Sequence, residues 1–176
     1  GLLDINTETY LISPVSVPIL EDRVQKPVLF AKGDSLYIGI GNKLYRACKD
    51  GYGQFAELDE KEMIKSLNSS RNGFVLAGTG RGNVFRISGN GEPEKITHTP
   101  ERIYSVFEDS YCRIWIGTGK GAVCLDGNHT FSNLGSPIRT FCEDFDGNII
   151  GGSSYGLWSI SKEGECQSIL IDGNRN

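Results

Sequence analysis

The chain has 176 residues, with 18 Lys and Arg against 22 Asp and Glu, two His and a formal net charge of −4. With this acidic balance and no basic run it does not fit a nucleic-acid binder that works by counterion release, which needs a basic face. Apolar runs such as Pro27–Ala31 fall far short of the roughly 20 residues that a membrane helix needs, and five Cys without a C-x-x-C spacing suggest neither a disulfide framework nor a zinc site.

The first residues, GLLDINTETY, lack the basic and apolar regions of a signal peptide, so a soluble segment is expected. Gly1–Ile5 matches Gly156–Ile160 and reads as a third strand, with Tyr10–Val15 as a fourth. Residues 1–17 are then the outer half of a four-stranded unit whose inner strands are missing. A first full unit, 18–62, contains VLFAKGDSLYIGIGNKLYRA (28–47), and a second, 63–101, contains MIKSLNSSRNGFVLAGTGRGNVFRIS (63–88). Leu58–Leu67 is the one candidate for a helical turn. The third unit, 102–137, contains RIYSVFEDSYCRIWIGTGKGAVCLD (102–126), and the fourth, 138–176, contains IRTFCEDFDGNIIGGSSYGLWSIS (138–161).

Each unit places an apolar run ending in Gly before a short turn and a second apolar run. These glycines are Gly39, Gly78, Gly117 and Gly152, at intervals of 39, 39 and 35 residues. In the third unit Ile103–Phe107, Ile114–Gly117, Ala122–Leu125 and Thr130–Leu134 read as strands, bounded by turn residues. The 23 Gly of the chain agree with many tight turns. Asn72-Gly73 and Asp146-Gly147 read as type I′ hairpin turns. Four antiparallel strands recurring about every 40 residues describe β-propeller blades, so the fold class is all-β, with four blades and an N-terminal half blade. After the fourth strand of the last unit, near Cys166–Ile171, Asp172–Asn176 are too few to supply the missing inner strands at about 3.3 Å per residue. The expectation is about 18 strands in an open arc: a piece of a larger propeller, or one whose open faces another chain covers.

The strings EDSYCRIWIGTGKGAVCLD and EDFDGNIIGGSSYGLWSIS resemble the two-component-regulator propeller repeat, I-x-x-I-x-E-D-x-x-G-x-I-W-I-G-T-x-x-G-L. The third unit carries Glu108, Asp109, Ile114, Trp115, Ile116, Gly117, Thr118 and Gly121 in register. The fourth carries Glu143, Asp144, Gly147, Asn148, Ile149, Ile150, Gly152, Gly156 and Leu157, without the Trp and Thr. The first two keep mainly the apolar core and its glycines. The resemblance implies a periplasmic sensor propeller of a bacterial hybrid two-component system, often responsive to oligosaccharides.

Few residues suggest catalysis. Adjacent carboxylates in a strand point to opposite faces, so the Glu108-Asp109 and Glu143-Asp144 pairs read as strand ends entering solvated turns. Asp144–Asn148 has spaced oxygen ligands but lacks the bidentate Glu of a calcium loop, and Gly78–Gly82 leads into a strand rather than the helix of a phosphate loop. His98 and His129 each lack a nearby second metal ligand. Cys124 and Cys142 read as small buried hydrophobes; Tyr37, Trp115 and Trp158 read as packing between blades, or as sugar-stacking platforms in the case of the two Trp.

The candidate ligand-binding residues lie in turns. Those joining second to third strands carry Asn42 and Lys43, Arg81, Lys120 and Tyr155 at matching places, and the connection before the third unit carries His98, Glu101 and Arg102. All are expected on one face, where cationic and aromatic groups can bind a polar ligand. No cofactor, metal, nucleic acid or membrane contact is expected for the segment. The function expected is a non-catalytic periplasmic sensor that binds an oligosaccharide, its partners being the rest of the propeller or a second copy in a homodimeric parent. Two other classes remain open: a protein-interaction scaffold, although no unit shows the Gly-His or Trp-Asp signature of WD repeats, and a magnesium-dependent propeller lyase using His98 and Glu101.

Overall fold

The computed structural model describes residues 2–5, 12–15, 26–49, 51–125, 130–132 and 136–169. Among them every regular element is a strand. Leu2–Ile5 (β1) and Ile12–Val15 (β2) form an antiparallel pair with Leu2 opposite Val15. Four four-stranded meanders follow. Blade 1 is Val28–Lys32 (β3), Ser35–Ile40 (β4), Lys43–Cys48 (β5) and Gly51–Glu57 (β6). Blade 2 is Ile64–Ser69 (β7), Val75–Thr79 (β8), Asn83–Ile87 (β9) and Pro93–His98 (β10). Blade 3 is Ile103–Glu108 (β11), Ile114–Thr118 (β12), Gly121–Cys124 (β13) and Thr130–Ser132 (β14). Blade 4 is Ile138–Glu143 (β15), Ile149–Ser153 (β16), Gly156–Ile160 (β17) and Cys166–Ile169 (β18). The first strands β3, β7, β11 and β15 pack successively against one another, so the sheets stand side by side like propeller blades.

Strand alternation explains the packing. Both β8 and β12 are buried along their whole length because each faces a neighbouring blade on either side. Val75 and Ala77 enter a cluster with Tyr37, Leu44 and Ile64, between blades 1 and 2. Leu76 points the other way and joins Val84, Ile103, Val106, Ile114 and Ile116, between blades 2 and 3. Trp115, on the opposite face from Ile114 and Ile116, packs with Ile138, Ile149, Phe141 and Trp158, between blades 3 and 4. Each fully buried Ile contributes about 1.5–3 kcal/mol relative to exposure.

The period glycines have a steric cause. A Cβ on Gly39 would lie 2.8 Å from Ile64 Cγ2, and one on Gly78 would lie 2.6 Å from Ile103 Cγ2. One on Gly117 would overlap the Ile138 carbonyl oxygen. The second strand of one blade thus receives the first Ile of the next, and the shorter third interval falls between Gly117 and Ile138. Side-chain size, not an unusual φ, selects Gly at these positions.

Three local expectations are corrected. Leu58–Leu67 is not helical: the Ile64 N–H donates to Gly41 O at 2.7 Å and Met63 O accepts from Gly80 N–H at 2.8 Å, so adjacent turns hold its backbone groups. The turns at Asn72-Gly73 and Asp146-Gly147 are not type I′, which needs two left-handed residues. Only Gly73 (φ 88°) and Gly147 (φ 79°) are left-handed there, and in blade 3 Cys112 (φ 62°) takes that place. Cys142 is exposed rather than buried, whereas Cys124 is buried as expected.

The Glu-Asp pairs end β11 and β15 and enter exposed turns as expected, but one of the two Asp is not solvated. Asp109 is completely buried. Its Oδ1 accepts from the backbone N–H groups of Tyr111 and Arg113, both at 2.9 Å, and its Oδ2 from Arg113 Nε at 2.6 Å and Trp115 Nε1 at 2.8 Å. Burial raises the carboxyl pKa, but the bonds from Trp115 and Arg113 outweigh it and hold Asp109 below the usual range. Asp144 organises the blade 4 turn in the same way, through Asn148. The preceding Glu joins blades: Glu108 accepts from the Arg71 N–H at 2.8 Å, and Glu143 from the Ser110 N–H at 2.8 Å and from its hydroxyl.

Candidate ligand-binding face

The turns between second and third strands and the connections between blades meet at one end of the molecule. Leu58 N–H donates to Asn42 O at 2.8 Å, Gly80 N–H to Met63 O at 2.8 Å, and Thr99 N–H to Gly82 O at 2.8 Å. Gly82 (φ 83°) is required here, since a Cβ would overlap the Thr99 carbonyl.

Two cavities open at this end. One, of about 370 Å³, is lined by His98, Thr99, Glu101, Thr118, Lys120 and Val123, among others. Within it Lys120 Nζ and Glu101 Oε1 form an ion pair at 2.6 Å. His98 Nδ1 lies 3.0 Å from Asn83 Oδ1, and Asn83 Nδ2 donates to the buried Glu62 Oε1 at 2.5 Å. With the amide oriented in this way, Asn83 Oδ1 accepts from His98 Nδ1.

The other cavity, of about 230 Å³, is cationic. Lys61, Lys65, Arg81 and Arg102 line it with Met63 and Gly80. Burial, then the Arg102 charge, lower the Lys65 pKa. Beside it the Arg102 guanidinium carbon lies 5.5 Å from the Tyr104 ring centroid and that of Arg139 5.0 Å, both within cation–π range. Arg139 Nε also donates to Ser154 Oγ at 3.2 Å.

A shared irregularity places three of these side chains. Pairing between first and second strands shifts register between Ile64 and Ser66, between Ile103 and Ser105, and between Ile138 and Thr140. Lys65, Tyr104 and Arg139 are therefore the skipped residues of three successive blades, and bulges of this kind redirect a side chain from the regular pleat.

Of the residues expected to bind ligand, Arg81 and Arg102 line the cationic cavity, and His98, Glu101 and Lys120 line the other. Lys43 stands apart on blade 1, 3.9 Å from Glu57, and Tyr155 is 85% exposed on blade 4. Lys61, Lys65, Tyr104 and Arg139 escaped sequence reasoning. For Lys65, Tyr104 and Arg139 the only sequence signal is a polar or aromatic residue after the first Ile of a strand in blades 2 to 4, without anything to announce the bulge; Lys61 lies in the connection before β7. His129 lies outside the described residues. Among the described residues there is no cluster of three or more His, Cys, Asp or Glu able to hold a metal, and no helix long and apolar enough to cross a membrane.

Residues 98–120, which run from one wall of the larger cavity to the other, match the family described as two component regulator propeller. That match spans one repeat, residues 98–120. Solved structures agree on the fold that this repeat builds. The extracellular domain of the hybrid two component system BT3049 from B. thetaiotaomicron is 18% identical, with a TM-score of 0.72 over 95% of this chain and 26% of that one. That of BT4673 from the same organism is 21% identical, with a TM-score of 0.66 over 85% of this chain and 22% of that one. Virginiamycin B lyase from Staphylococcus aureus is 15% identical, with a TM-score of 0.79 over 98% of this chain. The chain spans 63% of the length of that lyase. No curated protein matches the sequence.

Proposed function

We propose that the chain is a non-catalytic sensor module of a hybrid two-component regulator, working in the periplasm and binding a carbohydrate-like signal at the end where the two cavities open. The observation that carries this reading is the coincidence of the matched repeat, residues 98–120, with the cavity-lining segment from His98 to Lys120. Exposed cations and a half-buried Tyr at one end suit hydrogen bonding and stacking to a polar ligand. The kinase lies outside this chain, and ligand binding would bias the geometry of a homodimeric parent. Calorimetry of the chain against a panel of oligosaccharides tests the reading: binding is expected for at least one, and silence for all would overturn it.

A lyase reading has one observation in its favour, that His98 and Glu101 line the same cavity. The donors there do not fit magnesium, which favours several oxygen ligands. Glu101 is the one carboxylate among the lining residues, and Lys120 already pairs with it. Magnesium-dependent turnover that disappears in His98→Ala would favour the lyase.

A further inference from the structure

We infer that the cationic cavity and the adjoining arginines, namely Lys61, Lys65, Arg81, Arg102 and Arg139 around Tyr104, form a receptor for an acidic group, the carboxylate or sulfate of the sensed ligand. The inference rests on the sensor reading and narrows its ligand to acidic saccharides.

The charge distribution is the first ground. The chain as a whole is acidic, at −4, yet five cations gather at one end. Of the eleven other described cations, seven lie singly on separate strands and connections, and four, Lys43, Lys49, Arg113 and Lys120, each have a carboxylate within 4.0 Å. Among the described residues none of the five has one. Glu101 is paired with Lys120, and Glu62 accepts from Asn83 through Oε1 while its buried Oε2 has no hydrogen-bond partner. Burial, and after it the Arg102 charge, lower the Lys65 pKa, and a bound anion would favour the charged form.

Preorganisation is the second ground. The Tyr104 ring holds two guanidinium groups within 5.5 Å of its centroid, and Arg139 is further fixed by its Nε bond to Ser154 Oγ. Arginine forks match the paired oxygens of carboxylate and sulfate, and such charge-assisted bonds are the strong ones. Because the bulges recur in three blades, Lys65, Tyr104 and Arg139 occupy equivalent positions on three successive first strands. A cavity of about 230 Å³ suits one carboxylate or sulfate group.

The test is calorimetry of the 176-residue chain with four probes: trigalacturonate, a sulfated disaccharide, neutral maltotriose and inorganic sulfate. At least one acidic sugar is expected to bind, more weakly as salt rises, and more tightly than maltotriose. Arg102→Gln and Arg139→Gln should each weaken it about tenfold or more, the loss expected for one charge-assisted bond. Lys65→Gln should weaken binding while its melting temperature stays level or rises, which separates a lost site from a lost fold. Lys49→Gln, outside the cluster, should change nothing. Maltotriose binding as well as the acidic sugars, unaffected by the Arg102 and Arg139 variants, would overturn the acidic-group inference and leave the sensor reading intact. Inorganic sulfate binding without any sugar would confirm the anion site but overturn its saccharide ligand. Silence for all four would overturn the inference, and silence across the wider neutral panel would remove the sensor reading with it.

Discussion

At the scale of single residues, the Glu-Asp pairs of blades 3 and 4 divide their labour. The Asp folds its own turn, while the Glu caps a backbone N–H in the preceding blade. The pair is legible in the sequence, but its role is not, because Asp109 is buried by an indole six residues away that lies beside it only once the turn has formed. In blade 4 Ile150 stands where blade 3 has Trp115, and Asp144 is correspondingly only half-buried. Trp115→Phe removes a bond to a charged acceptor and should cost about 1.5–3 kcal/mol in denaturant unfolding. Asp109 titrates lower in the folded chain than its unfolded value of about 3.9. Its stabilisation is complete above that value and is lost as pH falls through the lowered one. Asp109→Asn should be less stable at neutral pH and lose stability less steeply as pH falls below about 4. Cys112 occupies a left-handed position that Gly73 and Gly147 fill in the neighbouring blades. Cys112→Gly should therefore raise stability by roughly 0.5–1 kcal/mol, the strain relieved exceeding the entropy that Gly adds to the unfolded chain. A lower midpoint in denaturant would contradict this.

At the scale of the element, the blade was readable because its signals are local. Strand alternation and a glycine every 39 or 35 residues needed no knowledge of the partner blade, although their cause, an Ile of the next blade packed on that glycine, is tertiary. Gly78→Ala should overpack the contact with Ile103 and cost about 1–3 kcal/mol by denaturant unfolding. The bulges were illegible for the opposite reason. Ile64-Lys65, Ile103-Tyr104 and Ile138-Arg139 look like ordinary strand starts, and the register shift arises only where the first strand crosses the connections at that end. The sequence therefore pointed to the turn residues Arg81 and Arg102 but not to the strand residues Lys65, Tyr104 and Arg139 beside them.

At the scale of the whole molecule, the two ends of the blades differ in chemistry. One gathers cations around Tyr104; the other presents the Asp-organised turns, with Tyr111 and Phe145 exposed at their tips. Both Trp of the chain belong to the cluster between blades 3 and 4, so intrinsic fluorescence reports on that interface. Ile138→Ala should shift the fluorescence transition by about 2–5 kcal/mol, the cost of a large-to-small change in a packed core. The central claim, that ligand is sensed at the cationic end, is tested most directly by hydrogen exchange of the chain with and without an acidic oligosaccharide that binds it. Protection should rise in residues 61–65, 79–82, 98–104 and 137–140; protection confined to the opposite turns, residues 109–113 and 144–148, would contradict the account.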